Sequence, residues 1–442
     1  MGNPADVLEE QKKVDSQQKS RSRKIAINDT LIISMEVKGL LMQSTKRSNN
    51  VLQSLLLGIM SLLAVGMLAA CGGYDPNTAQ SSSAVAAPQT NAQGGSGGNK
   101  SISFPVVPAA AAIQKCLPHA RGEATILPDE LNDTMKFQVY NLAPKQKYTL
   151  FVLQLPNKPF GVSWYQGAIF TDGDGNGSVI VRGIFDKKTF SVSPGGTTTF
   201  APTHQYHLGL WFSDPATPFK LGCEPGAKSP TVTPFNGQQH AGILVLNTSN
   251  FPNNAGPLSK VPTSTLDSNK VQEQFSLKGN HTFSFPVVPA GAAVQKCLPH
   301  ARGEATIISD EFNDTLNFKV YNLAPKQKYT LFVTQVPNKP FGVSWYQGAI
   351  FTDGDGNGNV IVRGILDPKT FSLSLGGTTT FSPTHQYHLG LWFSDPATPF
   401  KLGCEPGAKT PTVTPFNGVQ HAGILALNTG NFPDNAGPLS KV

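Results

Sequence analysis

Between residues 134 and 141 the chain alternates: Met135, Phe137 and Val139 are apolar, and Lys136 and Gln138 between them are polar. A period of two puts one side of an extended segment in a core and the other in water, so the pattern predicts a strand with one buried and one wet face. The same alternation recurs near 123–127, 147–155, 166–171, 178–184, 196–200, 205–212 and 241–246, with Pro, Gly, Asn and Asp clusters between the segments. No segment carries a helical stripe longer than two turns. Seven or eight short strands in roughly 155 residues predict an all-β fold, an antiparallel β-sandwich, with a closed barrel as the alternative.

The pattern then repeats with an offset of 181 residues. Gln114-Lys115-Cys116-Leu117-Pro118-His119 returns as Gln295-Lys296-Cys297-Leu298-Pro299-His300, and 103–261 aligned without gaps on 284–442 differs at 21 of 159 positions. Such similarity reads as a tandem duplication of a whole domain, and the period is too long for solenoid or propeller units. Pairs such as Ile113/Val294, Leu131/Phe312, Met135/Leu316 and Phe185/Leu366 exchange one apolar residue for another, as buried positions tolerate. The expected layout is a β-sandwich over 101–261, a polar junction over 262–283 and a second β-sandwich over 284–442.

One local pattern refines the architecture. Val139-Tyr140-Asn141-Leu142-Ala143-Pro144-Lys145-Gln146-Lys147-Tyr148 resembles the strand-turn-strand of fibronectin type III and immunoglobulin-like domains. The resemblance implies that the Tyr148 hydroxyl, and Tyr329 in the second copy, caps the preceding backbone. It covers about a dozen residues per copy; the long stretch 213–240 departs from a minimal sandwich and reads as an elaborated loop.

Ahead of the copies, Lys46 and Arg47 precede a largely apolar run from Leu52 to Ala70 that ends in Leu68-Ala69-Ala70-Cys71. A basic segment, an apolar segment and small residues are the parts of an export signal. Leu-Ala-Ala-Cys resembles the lipobox of bacterial lipoproteins, which implies that Cys71 is lipidated and becomes the first residue of the mature protein. The alternative is an uncleaved membrane-spanning helix. Residues 1–41 do not fit a signal peptide, so the expected start is Met42 and residues 1–70 are absent from the mature chain. Residues 71–100, rich in Gly, Ser, Ala, Gln, Asn and Thr, read as a flexible linker reaching about 30 Å.

Charge excludes one class of partner. The net charge is +7, but +3 of it lies in residues 1–70, and the remainder forms no basic stripe, so nothing points to nucleic acid. Charged residues are only 14% of the chain, with 43 Gly and 35 Pro, which suits turn-rich β structure.

Four cysteines remain once Cys71 is assigned to lipid. An exported chain meets oxidising conditions, so Cys116 with Cys223, and Cys297 with Cys404, are expected to close one disulfide per copy. The rival is a Zn or Cu site that adds His119, His204, His207 and His240, although His204 and His207, three apart on a strand, would face opposite ways. Asp172-Gly173-Asp174-Gly175-Asn176-Gly177 resembles the first half of an EF-hand loop. Asp172, Asp174 and Asn176, with Asp353, Asp355 and Asn357, are therefore candidate Ca²⁺ ligands. Position 12, however, is Gly183 or Gly364, and a turn of residues that tolerate positive φ explains the same letters.

Catalytic signals are thin. Ser163 lacks the second Gly of a nucleophile elbow, and Glu123, Asp129, Glu130 and Asp133 read as exposed acids beside a turn. The chain reads as a non-enzyme without cofactor. Trp164 and Tyr165, with Trp345 and Tyr346, sit in a Pro/Gly-bounded loop where one ring of each adjacent pair should face outward, which makes them candidate ligand contacts. The expectation is an exported lipoprotein held to the bilayer through Cys71. It acts at the cell surface as a binding or structural module for a polysaccharide or protein, its two copies adding avidity. The alternative is an extracytoplasmic metal protein or metal-dependent enzyme using the Cys/His sets.

Overall fold

In the computed structural model the described residues are 101–154, 162–186, 190–192, 201–202, 206–233, 240–262, 281–336, 343–367, 371–374, 381–383, 387–414 and 421–442. The signal segment with Cys71, Met42, the 71–100 linker, most of the 262–283 junction, the expected 196–200 strand and His204 lie outside them.

The first repeat forms β1 (Ile102–Pro108), β2 (Arg121–Leu127), β3 (Asp133–Tyr140), β4 (Lys147–Leu153), β5 (Val162–Phe170), β6 (Gly177–Gly183), β7 (Phe190–Val192), β8 (Ala201–Pro202), β9 (His207–Phe212) and β10 (Leu244–Asn247). The second forms β11 (His281–Pro289), β12 (Arg302–Ser309), β13 (Asp314–Tyr321), β14 (Lys328–Thr334), β15 (Val343–Phe351), β16 (Gly358–Gly364), β17 (Phe371–Ser374), β18 (Phe381–Pro383), β19 (His388–Phe393) and β20 (Leu425–Asn428). The chain is all-β and its strand pairs are antiparallel; the helices among the described residues, such as Ala111–Cys116 and Ala216–Lys220, are one or two turns long. Periodicity locates β2, β3, β4, β6 and β9 within a few residues. It misses β1, whose Pro105 and Pro108 obscure the alternation and which lies at the edge of its sheet, where proline is tolerated.

Strands β1-β2-β3-β6 form one sheet of the first repeat, and β10-β9-β4-β5 form the other, with the end of β1 crossing over to pair with β10. Ala124, Ile126, Met135, Phe137 and Val139 from the first sheet and Leu150, Val152, Leu208 and Leu210 from the second are buried in one apolar cluster. Tyr148 lies in this cluster, and its hydroxyl accepts a hydrogen bond from Ala143 N–H at 3.0 Å, the cap expected of the 139–150 turn. Tyr329 accepts from Ala324 in the same way at 3.1 Å. The turn works because Asn141 and Lys145 adopt positive φ and the 172–177 loop docks on it: Gly175, at φ 77°, accepts from Leu142 N–H, and a Cβ there would strike the Leu142 backbone.

The repeats depart from two self-contained sandwiches. The β7–β8 hairpin of the first pairs with β15 of the second, and the β17–β18 hairpin of the second pairs with β5 of the first. At Arg182 and Arg363, β6 meets β16, so the outer sheets of both repeats run on as β1-β2-β3-β6-β16-β13-β12-β11. The apolar cluster is likewise shared, and Trp164 packs on Trp345 with ring centroids 4.2 Å apart.

Tyr148→Phe leaves the buried Ala143 N–H without its acceptor and is expected to cost about 1–3 kcal/mol. Urea denaturation of the full chain, compared with the wild type, measures it.

Candidate functional site

The structure closes both expected disulfides. Cys116–Cys223 and Cys297–Cys404 have Cα separations of 5.2 and 5.1 Å. Each ties the Ala111–Cys116 helix, or its Ala292–Cys297 counterpart, to the elaborated loop that follows β9 or β19. A closed loop of about 100 residues is worth up to roughly 4.7 kcal/mol in the chain-entropy model. With their cysteines bridged, the Cys/His sets lose their thiolates.

The histidines scatter. His119 and His240 are exposed, whereas His207 is buried. Its Nδ1 lies 2.9 Å from Thr248 Oγ1, and its Nε2 lies 3.1 Å from the carbonyls of both Pro252 and Asn253. Two carbonyls around one nitrogen require N–H there, so the bonding pattern assigns the Nε2–H tautomer. Burial lowers the imidazole pKa below its ordinary value and keeps it neutral. His207 is therefore a structural tie between β9 and the segment after β10, not the open nitrogen that a metal site needs. His388 repeats the arrangement with Thr429, Pro433 and Asp434. Among the described residues no group of three or more His, Cys, Asp or Glu side chains is gathered to hold a metal.

The acidic loop is a turn closed on itself. Asp172 Oδ1 accepts from Asp174 and Asn176 N–H at 2.9 and 2.8 Å, and the Asn176 Oδ1 accepts from Asn141 N–H at 3.4 Å. Asp353, Asp355 and Asn357 reproduce it. The side chains of Asp172, Asn176, Asp353 and Asn357 thus accept from backbone donors, the role of Asx turns, while Asp174 and Asp355 contribute their backbone N–H.

The aromatic candidates are relocated. Trp164 and Tyr165 lie in β5, not a loop, and both are buried, as are Trp345 and Tyr346 in β15. Strand alternation does send adjacent rings to opposite faces, but both faces are covered. Trp164 enters the shared core, and Tyr165 stacks on Phe151 beside Trp211 in a second cluster that includes Ile365 of the other repeat. No ring of the four offers a face to a ligand.

Two features escape the sequence reading. The first is a pair of buried acid clusters between the repeats. Asp133, read from sequence as an exposed turn residue, is buried and accepts from Phe185 N–H at 2.7 Å through Oδ2 and from Asp129 N–H through Oδ1. Loss of water pushes its pKa up from 3.8 to about 8, and the Asp186 carboxylate adds to the rise. Tyr346 of the other repeat sits close enough that the charges of Asp186 and Asp133, after burial itself, raise its pKa too. Asp314 and Asp367 face Tyr165 in the mirrored cluster. Nothing in the sequence next to Asp133 announces this, because the groups that hold it, Phe185 and Asp186, lie about 50 residues away.

The second is the solvent face of the long outer sheet. Its cross-strand rows read Pro105-Glu123-Gln138-Ser178 and Ser103-Thr125-Lys136-Ile180 in the first repeat and Pro286-Glu304-Lys319-Asn359 in the second. Arg121 stacks its guanidinium 4.7 Å from the Tyr140 ring centroid, and Arg302 repeats this on Tyr321 at 4.6 Å. Polar side chains reaching both ways across strands, with Arg-supported aromatic rings, are suited to hydrogen-bonding and stacking on a flat ligand.

No family model matches the chain, and comparison with curated proteins finds no relative.

Asp133 holds a proton in the native state that the unfolded chain releases above 3.8. Its contribution to stability is complete below that value and is lost as pH rises to about 8, a slope of up to roughly 1.4 kcal/mol per pH unit. Asp133→Asn is expected to flatten the fall in thermal midpoint across about pH 5 to 8, followed by calorimetry.

Proposed function

We propose that the protein is an exported lipoprotein, anchored to the bilayer through Cys71, whose paired repeats act at the cell surface as a binding or structural module. The Leu68-Ala69-Ala70-Cys71 motif supports the anchor, and the two disulfides are consistent with an oxidising compartment outside the cytoplasm. No helix among the described residues is long and apolar enough to cross a membrane.

The observation that carries the binding half is the outer sheet. It runs through both repeats and presents Arg121, Glu123, Lys136 and Gln138 in the first and Arg302, Glu304 and Lys319 in the second. A polysaccharide, or a protein with a repeating polar surface, matches this chemistry, since hydroxyl and amide groups pair with mixed donors and acceptors while sugar or aromatic faces stack on Tyr140 and Tyr321. Because the two halves of the face belong to one chain, a ligand spanning both gains affinity by engaging two sites at once.

Two experiments test the two halves of the reading. In a bacterial host, radiolabelled palmitate is expected to enter the wild-type chain and not Cys71→Ser; equal labelling of both would remove the anchor. Residues 101–442 are expected to sediment with cell-wall or matrix polysaccharide, and Arg121→Ala with Arg302→Ala to weaken that binding about tenfold, or 1.4 kcal/mol. Unchanged binding of the double variant would overturn the assignment to this face.

A further inference from the structure

The backbone pairings between repeats, and most of the side-chain contacts, appear twice with the roles of the repeats reversed. Val192, Ser191 and Phe190 pair with Val343, Ser344 and Trp345, and Leu373, Ser372 and Phe371 pair with Val162, Ser163 and Trp164. Ala168 N–H donates to the Phe312 carbonyl at 2.6 Å, and Ala349 N–H donates to the Leu131 carbonyl at 2.6 Å. Asn132 Nδ2 donates to the Ile361 carbonyl at 2.7 Å, and Asn313 Nδ2 donates to the Ile180 carbonyl at 2.8 Å. Two contacts pair equivalent residues: Trp164 with Trp345, and Arg182 with Arg363. Residue i touching the counterpart of j while j touches the counterpart of i is the signature of an isologous, two-fold interface.

The residues that make these contacts by their side chains or need to be small are the same in both repeats. Asn132, Trp164, Gly167, Ala168, Arg182 and Ile184 return unchanged as Asn313, Trp345, Gly348, Ala349, Arg363 and Ile365. Leu131 and Phe312 differ: both use the backbone carbonyl in the shared hydrogen bond, and the Phe312 ring adds an edge contact with Phe170 at 5.2 Å that Leu131 does not repeat. Neither disulfide crosses between the repeats.

We propose that the interaction partner of each repeat is a second copy of the same repeat. The tandem chain is two protomers of a hairpin-exchanged dimer joined end to end, and covalent linkage raises their effective concentration. The inference concerns the surface between the repeats and stands apart from the outer sheet face.

The test keeps the whole chain. A specific protease site is placed within 263–280 of the full chain, the purified protein is cut, and light scattering after size exclusion reads the mass under native conditions. The cut halves are expected to co-elute at the mass of the uncut chain. The same is done with a chain carrying repeat 1 at both positions, all 21 differences reverted; it is expected to fold and to stay paired after cutting as the wild type does. Asn132→Ala with Asn313→Ala in the cut wild type, which removes the paired side-chain bonds, is expected to shift the halves toward separation on dilution. Halves that separate on cutting, a repeat 1 double chain that fails to fold, or one whose halves part while those of the wild type hold, would each overturn self-complementarity.

Discussion

The structure depends on how closely two backbones approach between the repeats. At Gly167 a Cβ would lie 2.9 Å from the Phe312 carbonyl oxygen and 3.3 Å from Asn313 Cβ, and Gly348 stands in the same relation to Leu131 and Asn132. The absence of a side chain lets Ala168 and Ala349 donate across the boundary. A register shift between Leu150 and Phe151 leaves Gln166 as the extra residue of β5 and turns the strand's free edge toward the other repeat. With that approach in place, Asn132 and Asn313 reach carbonyls of the opposite outer sheet, and the hairpins β7–β8 and β17–β18 find their partner strands.

Burial of polar groups at this boundary follows from the same geometry. Asp133 and Asp186 are buried near Tyr346 of the other repeat, and the lost hydration raises the Asp133 pKa. Backbone N–H donors from Phe185 and Asp129 offset part of the cost, as buried polar groups require. Ile365 and Ile184 each complete an aromatic cluster in the opposite repeat, around Tyr165 and Trp211 in one case and Tyr346 and Trp392 in the other. Most polar and apolar contacts of the boundary thus use one residue set twice, the Phe170–Phe312 ring contact being the exception. Duplication of a self-complementary unit produces this without any new interface having to arise.

Away from the boundary the molecule obeys local rules. His207 holds the segment after β10 through Thr248 and two carbonyls, the 172–177 loop satisfies its own backbone through Asp172 and Asn176, and a disulfide pins the long loop after β9. Each looked from sequence like a candidate for chemistry because structural ties and functional sites draw on the same residue types. Geometry separates them: every one of these groups faces a partner of its own chain.

Alternation of apolar and polar residues was enough to read β2, β3, β4, β6 and β9, since a strand with one wet face writes its period into neighbouring positions. The duplication and the presence of two cysteines in each copy were legible because they depend on identity at a fixed separation, and the Tyr148 cap because its turn resembles that of fibronectin type III domains. What tertiary structure alone decided is where each strand's second face goes. Trp164 and Tyr165 look half-exposed in one repeat read by itself, and they pack against Trp345 and Ile365 of the other repeat, offset by 181 residues. A near-perfect repeat cannot reveal whether a strand pairs within its own copy or with the other, because both choices present the same residues; only the reach of the backbone and the fit at Gly167 and Gly348 separate them.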